Sequence, residues 1–190
     1  MPFPAIDTVT TDRVLIRMVR EADLADLLEI NGDAQVTAFL PYETWSSLDD
    51  GRAWLQRMQA LEGQETGRQF VLERRETGKV IGALLLFRFD EKSARAEIGY
   101  VLGRAYWKHG LMREALRAFC RDALDVAGLR RIEAEVNPAN VASNAVLAQT
   151  GFTLEGRLRK RWVGKGGPYD SNFYGLLKED LIASHSCAVE

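Results

Sequence analysis

The stretch from Ala96 to Leu116, AEIGYVLGRAYWKHGLMREAL, holds the residues best suited to chemistry. Lys108, His109 and Gly110 stand directly before a run with helical apolar spacing. At the start of a helix several N–H groups lack carbonyl partners and the dipole favours an anion, so a diphosphate would sit well there. Gly110 has no Cβ and lets phosphate oxygens approach the main chain, while Lys108 and His109 can add positive charge. The plainer alternative is that Gly110 only eases the chain into the helix. Other chemistries are narrowed by counting. His109 and His185 are the two histidines, and Cys120 and Cys187 the two cysteines, without a C-x-x-C pair. A disulfide framework, a zinc or other metal site, and a Ser-His-Asp triad are therefore not expected, and both thiols read as free. If the chain is an enzyme, carboxylates, hydroxyls or backbone amides must do most of the work.

The elements that would position these groups can be followed along the chain. Arg13 to Met18 alternates around Val14 and Ile16 as a strand. Glu21 to Ile30 carries Leu24, Leu27 and Leu28 at helical spacing and stops at Asn31-Gly32. Ser47 followed by Asp50 resembles a capping box ahead of a second helix, Leu48 to Leu61, with Trp54, Leu55, Met58 and Leu61 on one face. Phe70 to Arg74, Val80 to Phe89 and Ala94 to Leu102 read as a three-strand antiparallel meander. Leu111 to Ala127 is the longest helix and Gly128 supplies its stop. Arg131 to Val136 reads as a strand and Asn140 to Thr150 as a short helix. Phe152 to Arg161 and Tyr169 to Leu177 close the chain as two strands around GKGGP. The order β-α-α-β-β-β-α-β-α-β-β predicts an α/β fold of the α+β kind, a mixed sheet with helices on its faces. No repeat or linker divides it, so residues 1–190 are expected to form one domain with 181–190 as a flexible tail.

Composition bounds what such a domain can do. Of 190 residues, 46% are hydrophobic and 27% charged, the balance of a chain that folds by burying apolar surface rather than remaining disordered. Lysine and arginine total 25 against 27 acidic residues, a net charge of -2, so no global field draws the chain to nucleic acid or anionic lipid. The run Val80 to Phe87 is far shorter than the roughly 20 residues that span a bilayer, and the N-terminus lacks a basic region followed by an apolar stretch. A cytoplasmic location is the expectation.

Taken in order, several motifs resemble the GNAT superfamily of acetyl-CoA-dependent N-acetyltransferases, especially the RimJ and RimL branch that acetylates N-termini of ribosomal proteins. They are an early L-x-I-R strand (only L-I-R here, Leu15 to Arg17), EIGY (Glu97 to Tyr100), YWxxG (Tyr106 to Gly110), Glu114-Ala115, N-x-x-S (Asn140 to Ser143), Gly151-Phe152 and LEGRLR (Leu154 to Arg159). The resemblance covers nearly the whole chain. It implies a GNAT-like fold with acetyl-CoA as cosubstrate. It also implies that the loop of Trp107, Lys108, His109, Gly110, Leu111, Met112 and Arg113 binds the CoA pyrophosphate. Pantetheine would lie along Ile98, Tyr100, Val101 and Leu102. Lys108 replaces a frequent glycine of the superfamily loop and Met112 a small residue.

The same resemblance suggests roles in catalysis. Glu97 stands where related acetyltransferases carry a carboxylate general base, and Glu135 matches the glutamate on the following strand of N-terminal acetyltransferases. Either glutamate can instead alternate outward or pair with an arginine. Many superfamily members have a tyrosine where Leu147 stands here, and RimL-like proteins a glutamate where Trp162 stands. Ser143 matches a serine directed at the CoA sulfur, which makes it a donor to the thiolate, a helix cap or a pantetheine ligand. Asn137 and Asn140 can bind pantetheine or phosphate, although Asn137-Pro138 is also an ordinary turn. Tyr42 and Trp45 lie where the acceptor groove would begin, with core packing as the alternative, and Tyr169 lies near the same side. Arg157, Arg159, Lys160, Arg161 and Lys165 form a basic segment that can meet an acidic group or simply face solvent.

The expected reaction moves acetyl directly to a primary amine. An α-amino group with pKa near 7.7–8.0 is roughly one-tenth neutral at pH 7, whereas lysine near 10.4 costs about 4–5 kcal/mol to deprotonate. A protein or peptide N-terminus is therefore the expected partner, with a small amine as the alternative. No stable nucleic-acid binding and no membrane partner are expected, and a homodimer is left open. A non-catalytic CoA-binding module is the competing reading, suggested by the missing tyrosine and glutamate. A nucleotide-triphosphate hydrolase is disfavoured because G-x-x-x-x-G-K-[ST] is absent.

Overall fold

The computed structural model describes residues 3–164 and 166–181. Lys165, His185, Cys187 and the expected tail apart from Leu181 lie outside the described residues. The described chain forms one eight-stranded mixed sheet in the order β1-β2-β3-β4-β5-β6-β8-β7. The strands are β1 (Thr8–Thr10), β2 (Val14–Met18), β3 (Gly67–Arg74), β4 (Val80–Asp90), β5 (Arg95–Leu102), β6 (Arg131–Val136), β7 (Thr153–Gly164) and β8 (Gly167–Leu177). The helices are α1 (Leu24–Asn31), α2 (Leu48–Gly63), α3 (Leu111–Asp125) and α4 (Val141–Thr150).

The meander β3-β4-β5 pairs antiparallel as its apolar alternation predicts. β1 was not expected, because a three-residue strand with only Val9 buried carries no readable period. β3 starts three residues earlier than its apolar run, since Gln69 is buried and donates to the carbonyls of Phe70 and Leu84, both at 2.9 Å. Asp50 accepts from the N–H groups of Ser46 (2.8 Å) and Ser47 (3.1 Å), which anchors the start of α2 as the capping residues suggest.

The sheet has an apolar layer on each face. On one, α3 lays Leu111, Ala115, Phe119, Cys120 and Ala123 against Ile16, Phe70, Leu84, Ile98 and Ile132. On the other, α1 and α2 bring Leu24, Leu27, Trp54 and Leu55 onto Val71, Val80 and Ala83. Burial pushes the Cys120 thiol far up, so it stays protonated at the centre of the core. Arg17 of the L-I-R strand is structural: it grips Asp23 bidentately (2.8 and 2.9 Å) and Glu73 (2.8 Å), joining the lead into α1 to the sheet. No described helix is long and apolar enough to cross a membrane.

Phe119 is 0% exposed and stacks edge-on against Phe70, with ring centroids 5.0 Å apart. Phe119→Ala is expected to lower unfolding free energy by about 3–5 kcal/mol in urea titrations. Val126→Ala, at a side chain 75% exposed near the same helix, should change it by less than about 0.5 kcal/mol.

Candidate active site

β5 and β6 run parallel but pair only at Arg95↔Arg131, Ala96↔Ile132 and Glu97↔Glu133. Beyond Glu97 they part, while β5 stays paired to β4 as far as Leu102↔Gly82 and β6 to β8 as far as Val136↔Asn172. A fork opens in the middle of the sheet. Its inner edges, Ile98–Leu102 on one arm and Ala134–Val136 on the other, have peptide groups without a strand partner. Such edges are suited to an extended ligand that carries amides of its own. At about 3.3 Å per residue, the arm from Leu102 to Glu97 is about 17 Å long.

At the mouth of the fork the chain turns through the loop into α3. Lys108 (φ +63°) and Gly110 (φ +74°) both take the left-handed conformation, and the Trp107 indole donates to the Leu102 carbonyl at 2.7 Å. The first helical bond runs from the Glu114 N–H to the Gly110 carbonyl, so the N–H groups of Leu111, Met112 and Arg113 precede it. The side chains of Leu111 and Met112 are buried in the core, so these two residues offer the loop only their main chain. Lys108, His109 and Arg113 are exposed at the helix start.

Arg13, which sequence reasoning did not select, anchors this loop. It donates to the His109 carbonyl (3.0 Å) and to the Glu114 carboxylate (2.6 Å), and Glu114 also accepts the Arg13 main-chain N–H. Although burial opposes it, the bonds from the Thr11 and Arg13 region hold the Glu114 carboxyl below its ordinary range. A Cβ built on Gly110 would stand 3.7 Å from Arg13 and 3.8 Å from Arg113, so both guanidinium groups lie close to the glycine. Left-handed backbone, the N–H groups ahead of the first helical bond and the nearby Arg113 guanidinium fit a pyrophosphate.

Across the fork, Tyr100 on β5 reaches the start of α4. Its hydroxyl lies 2.8 Å from Ser143 Oγ and donates to the Ser143 carbonyl at 3.2 Å. Burial raises the Tyr100 phenol well above its usual range, so it remains neutral. Asn140 caps α4 by accepting the Ser143 N–H at 3.1 Å, and Asn137 accepts from the Ala139 N–H at 2.9 Å. The helix-cap alternative is therefore realised by Asn140, which leaves the Ser143 hydroxyl to Tyr100. Asn144, also not selected beforehand, donates to the carbonyls of Asn137 (3.1 Å) and Asn140 (2.7 Å). It accepts from Asn172 (2.7 Å) and Tyr174 (2.8 Å), using its full hydrogen-bonding capacity to tie α4 to β8.

Glu97 and Glu135 share the sheet face opposite α3. The Arg88 Nη1 is 2.7 Å from Glu97 and 3.7 Å from Glu135, so one guanidinium nitrogen serves both carboxylates. The arginine-paired alternative thus holds for both. Burial raises the Glu97 carboxyl above its ordinary range, while Arg88 offsets part of that rise. Trp162, standing in the position where the resemblance would place a glutamate, donates its indole N–H to Glu135 at 2.7 Å.

The aromatic residues expected at the acceptor groove sit otherwise. Trp45 is 6% exposed, tilted against Trp54 with centroids 5.5 Å apart, so its ring belongs to the α1–α2 core and not to a groove. Tyr42 packs against the same cluster and donates to Asn31 at 2.9 Å; burial holds its phenol neutral. Both corrections have one cause: apolar rings in the loop between α1 and α2 gain more by joining the adjacent core than by facing water. Tyr169 pairs across the strands with Trp162 and packs over Gly164, which brings it beside the Glu135 cluster without a polar contact to Glu97 or Glu135. In the basic segment, Arg157 donates to Asn172 (3.0 Å) and Arg161 approaches Glu135 (3.5 Å), while Arg159 and Lys160 are exposed.

The forked parallel pair with an amide-rich helix start at its mouth is matched by known proteins. The model of the acetyltransferase (GNAT) domain matches residues 13–153. This chain belongs to the GNAT family. Among its GNAT relatives, the N-acetyltransferase YoaA of Bacillus subtilis (strain 168) is 31% identical over 176 residues, covering 93% of this chain and 98% of YoaA. The ribosomal-protein-serine acetyltransferase of Escherichia coli (strain K12) is 27% identical over 131 residues, 69% of this chain and 72% of that protein. The structure of Mycobacterium smegmatis RimJ in complex with CoA-disulfide superposes with a TM-score of 0.84 at 26% identity, over 94% of this chain and 92% of that one. The GNAT chain described here is an acetyltransferase with the expected mixed α/β fold.

The phosphate-loop assignment is testable with two glycines that share a left-handed backbone. Gly110→Asp should abolish the rise in thermal stability that CoA produces, by adding bulk and negative charge at the loop. Gly78→Asp, at φ +69° with nothing within 4 Å of its Cβ, should lower the melting temperature through the same backbone strain but keep the CoA response. An unchanged CoA response in Gly110→Asp would sink the assignment.

Proposed function

We propose that this GNAT enzyme transfers acetyl from acetyl-CoA to the α-amine of a protein or peptide N-terminus, by direct attack without an acylated enzyme. The observation that carries the reading is the fork itself. Its mouth is built for a diphosphate, its arm for an extended amide-bearing chain, and a buried carboxylate lies at its apex. Acetyl-CoA supplies the activated thioester.

The chain's own groups divide the remaining work. Leu111, Met112 and Arg113 offer main-chain N–H groups to phosphate, with Arg113, Lys108 and His109 adding charge and Arg13 holding the loop. Unpaired N–H groups along Ile98–Leu102 orient the pantetheine and polarise the thioester carbonyl. Glu97 accepts the proton that the amine must lose, directly or through water, with Glu135 as its neighbour in reserve. Ser143, held by Tyr100, passes a proton to the departing thiolate and regains one from solvent, to which Glu97 returns the proton it took from the amine. The C–N bond forms, the C–S bond breaks, and one proton leaves the nitrogen as one reaches the sulfur. Cys120, buried beneath α3, is badly placed to carry an acyl group.

The α-amine is favoured over lysine for a physical reason. A pKa gap of about 2.5 units gives the α-amine a several-hundred-fold advantage in neutral fraction at pH 7. Glu97, tied to Arg88 in the resting enzyme, is at most a modest base. The ribosomal-protein-serine activity of the Escherichia coli relative supports the same acceptor class. Glu135, Asn137, Asn140 and Tyr169 stand at the edges of the site, where they can orient pantetheine or acceptor.

Competition at pH 7 between a peptide with a free N-terminus and its N-blocked, lysine-containing counterpart should favour the free N-terminus. Faster acetylation of the blocked peptide would overturn the acceptor assignment. Glu97→Gln should lower kcat more than it raises KM for acetyl-CoA. Because the base works ionised and its pKa is raised, the wild-type rate should fall with acid at a pH above the ordinary glutamate value of about 4.3. Protonation of the amine itself lowers the rate below about pH 8 in every variant, and Glu97 adds a second, steeper fall at lower pH. That second fall should be absent from Glu97→Gln; its persistence there and absence from Glu135→Gln would reverse the two roles.

A further inference from the structure

Two irregularities in the sheet converge on the acceptor face. In β4 the register shifts between Phe87 and Asp90, and Arg88 takes φ +53°. In β7 the register shifts between Leu158 and Trp162, and Lys160 takes φ +47°. A non-glycine residue in the left-handed region costs about 1 kcal/mol or more, and bulges of this kind re-aim side chains. Regular alternation would send Arg88 to the face opposite Phe87. The bulge instead turns it onto the face of Glu97. Its guanidinium lies over the rings of Phe87 (5.5 Å) and Trp162 (5.3 Å). From the other bulge, Arg161 also lies over Trp162 at 5.3 Å. Both guanidinium groups approach the same oxygen, Glu135 Oε1, at 3.7 and 3.5 Å. They remain 46% and 47% exposed, so a group arriving from solvent can reach them.

We propose that Arg88 and Arg161, with Trp162 between them, form a carboxylate-recognition site that selects acceptors bearing a carboxylate within about one residue of the reactive amine. This rests on the acetyl-transfer reading of the site and names a chemical class of acceptor for it. The planar guanidinium is the group of choice for pairing with a carboxylate, and stacking on an indole holds it flat. The two sites also share a partner. In the resting enzyme Arg88 is paired with Glu97, which keeps that carboxylate a weak base. An acceptor carboxylate that draws Arg88 away leaves Glu97 buried beside Glu133 and Glu135, where its affinity for a proton rises as the amine arrives. The groups around Glu97 are then Arg88 from β4 and Glu133 and Glu135 from β6, with Arg161 of β7 on the far carboxylate, Glu135. Glu133 is itself held by Arg95 (2.7 Å) and Arg131 (2.8 Å). Selection of the right acceptor and strengthening of the base are thereby one event.

The test compares kcat/KM for two peptides that differ only in glutamate or glutamine at the second position, in wild type, Arg88→Gln and Arg161→Gln. β-Alanine and β-alaninamide form a second pair that does not depend on a peptide acceptor. Ratios are compared between enzymes, so the intrinsic reactivity of each amine cancels. Wild type should prefer the carboxylate member by on the order of tenfold, as a charge-assisted pair warrants, and the preference should collapse in Arg88→Gln and shrink in Arg161→Gln. The Glu97 step in the rate on β-alaninamide should move to higher pH in Arg88→Gln, because removing a cation raises the Glu97 pKa; this shift reports the Arg88–Glu97 pairing, and the collapse of the carboxylate preference reports the recognition. A retained thermal response to CoA in each variant shows that the fold and the phosphate loop are intact. A carboxylate-to-amide ratio that is the same in wild type and Arg88→Gln overturns the proposal, as does equal use of the glutamate and glutamine peptides by wild type. Acetylation of the small amines with neither peptide used overturns the N-terminal acceptor reading instead, and the carboxylate preference is then decided by the small pair.

Discussion

The parting of β5 from β6 after Glu97 is the constraint on which the rest of the molecule depends. A parallel pair inside a sheet normally satisfies every peptide group it can reach. Here the outer edge of each strand stays paired while the inner edges diverge, because β5 follows β4 and β6 follows β8. The sheet therefore carries a seam of polar backbone without a strand partner, suited to an extended, amide-bearing chain.

Cross-links on both sides of the fork keep it open at a defined width. On the α3 face, Tyr100 and Ser143 bridge from β5 to α4, and Asn144 joins α4 to β8. On the opposite face, Arg88 touches Glu97 of one arm and Glu135 of the other. The arms are thus held by neutral hydrogen bonds on the α3 face and by charged ones on the opposite face. In the proposed reaction that division would let the neutral face donate to sulfur without competing cations and let the arginine tune the carboxylate on the charged face.

The mouth of the fork obeys a different economy. Arg13 lies about a hundred residues before Glu114 in the chain, yet its guanidinium joins that carboxylate to the His109 carbonyl. Because Glu114 neutralises the arginine and sits in the first turn of α3, it favours the helix dipole while leaving the N–H groups of Leu111, Met112 and Arg113 directed outward. A loop with two left-handed residues would otherwise be the least constrained part of the site.

Much of this was legible before any coordinates. The apolar periods of the meander and of α3, the stop at Gly128 and the order of strands and helices are local properties, set by which side chains must leave water within a turn or a strand. The loop that leads into α3 was legible for the same reason: glycine, lysine and a helix start lie together in sequence. The motif order was enough to place the chain among GNAT proteins. What only the tertiary structure decided are relations between distant segments. Arg13 on Glu114, Asn144 on Asn172 and Trp162 on Glu135 join residues that no period connects. Arg88 faces Glu97 because a bulge reverses the alternation that a sequence pattern assumes. Trp45 and Tyr42 went to the core because the neighbouring helices offered them apolar cover. Burial within a turn is fixed by neighbours along the chain, whereas the partner of a polar side chain depends on which strands the whole fold brings alongside it.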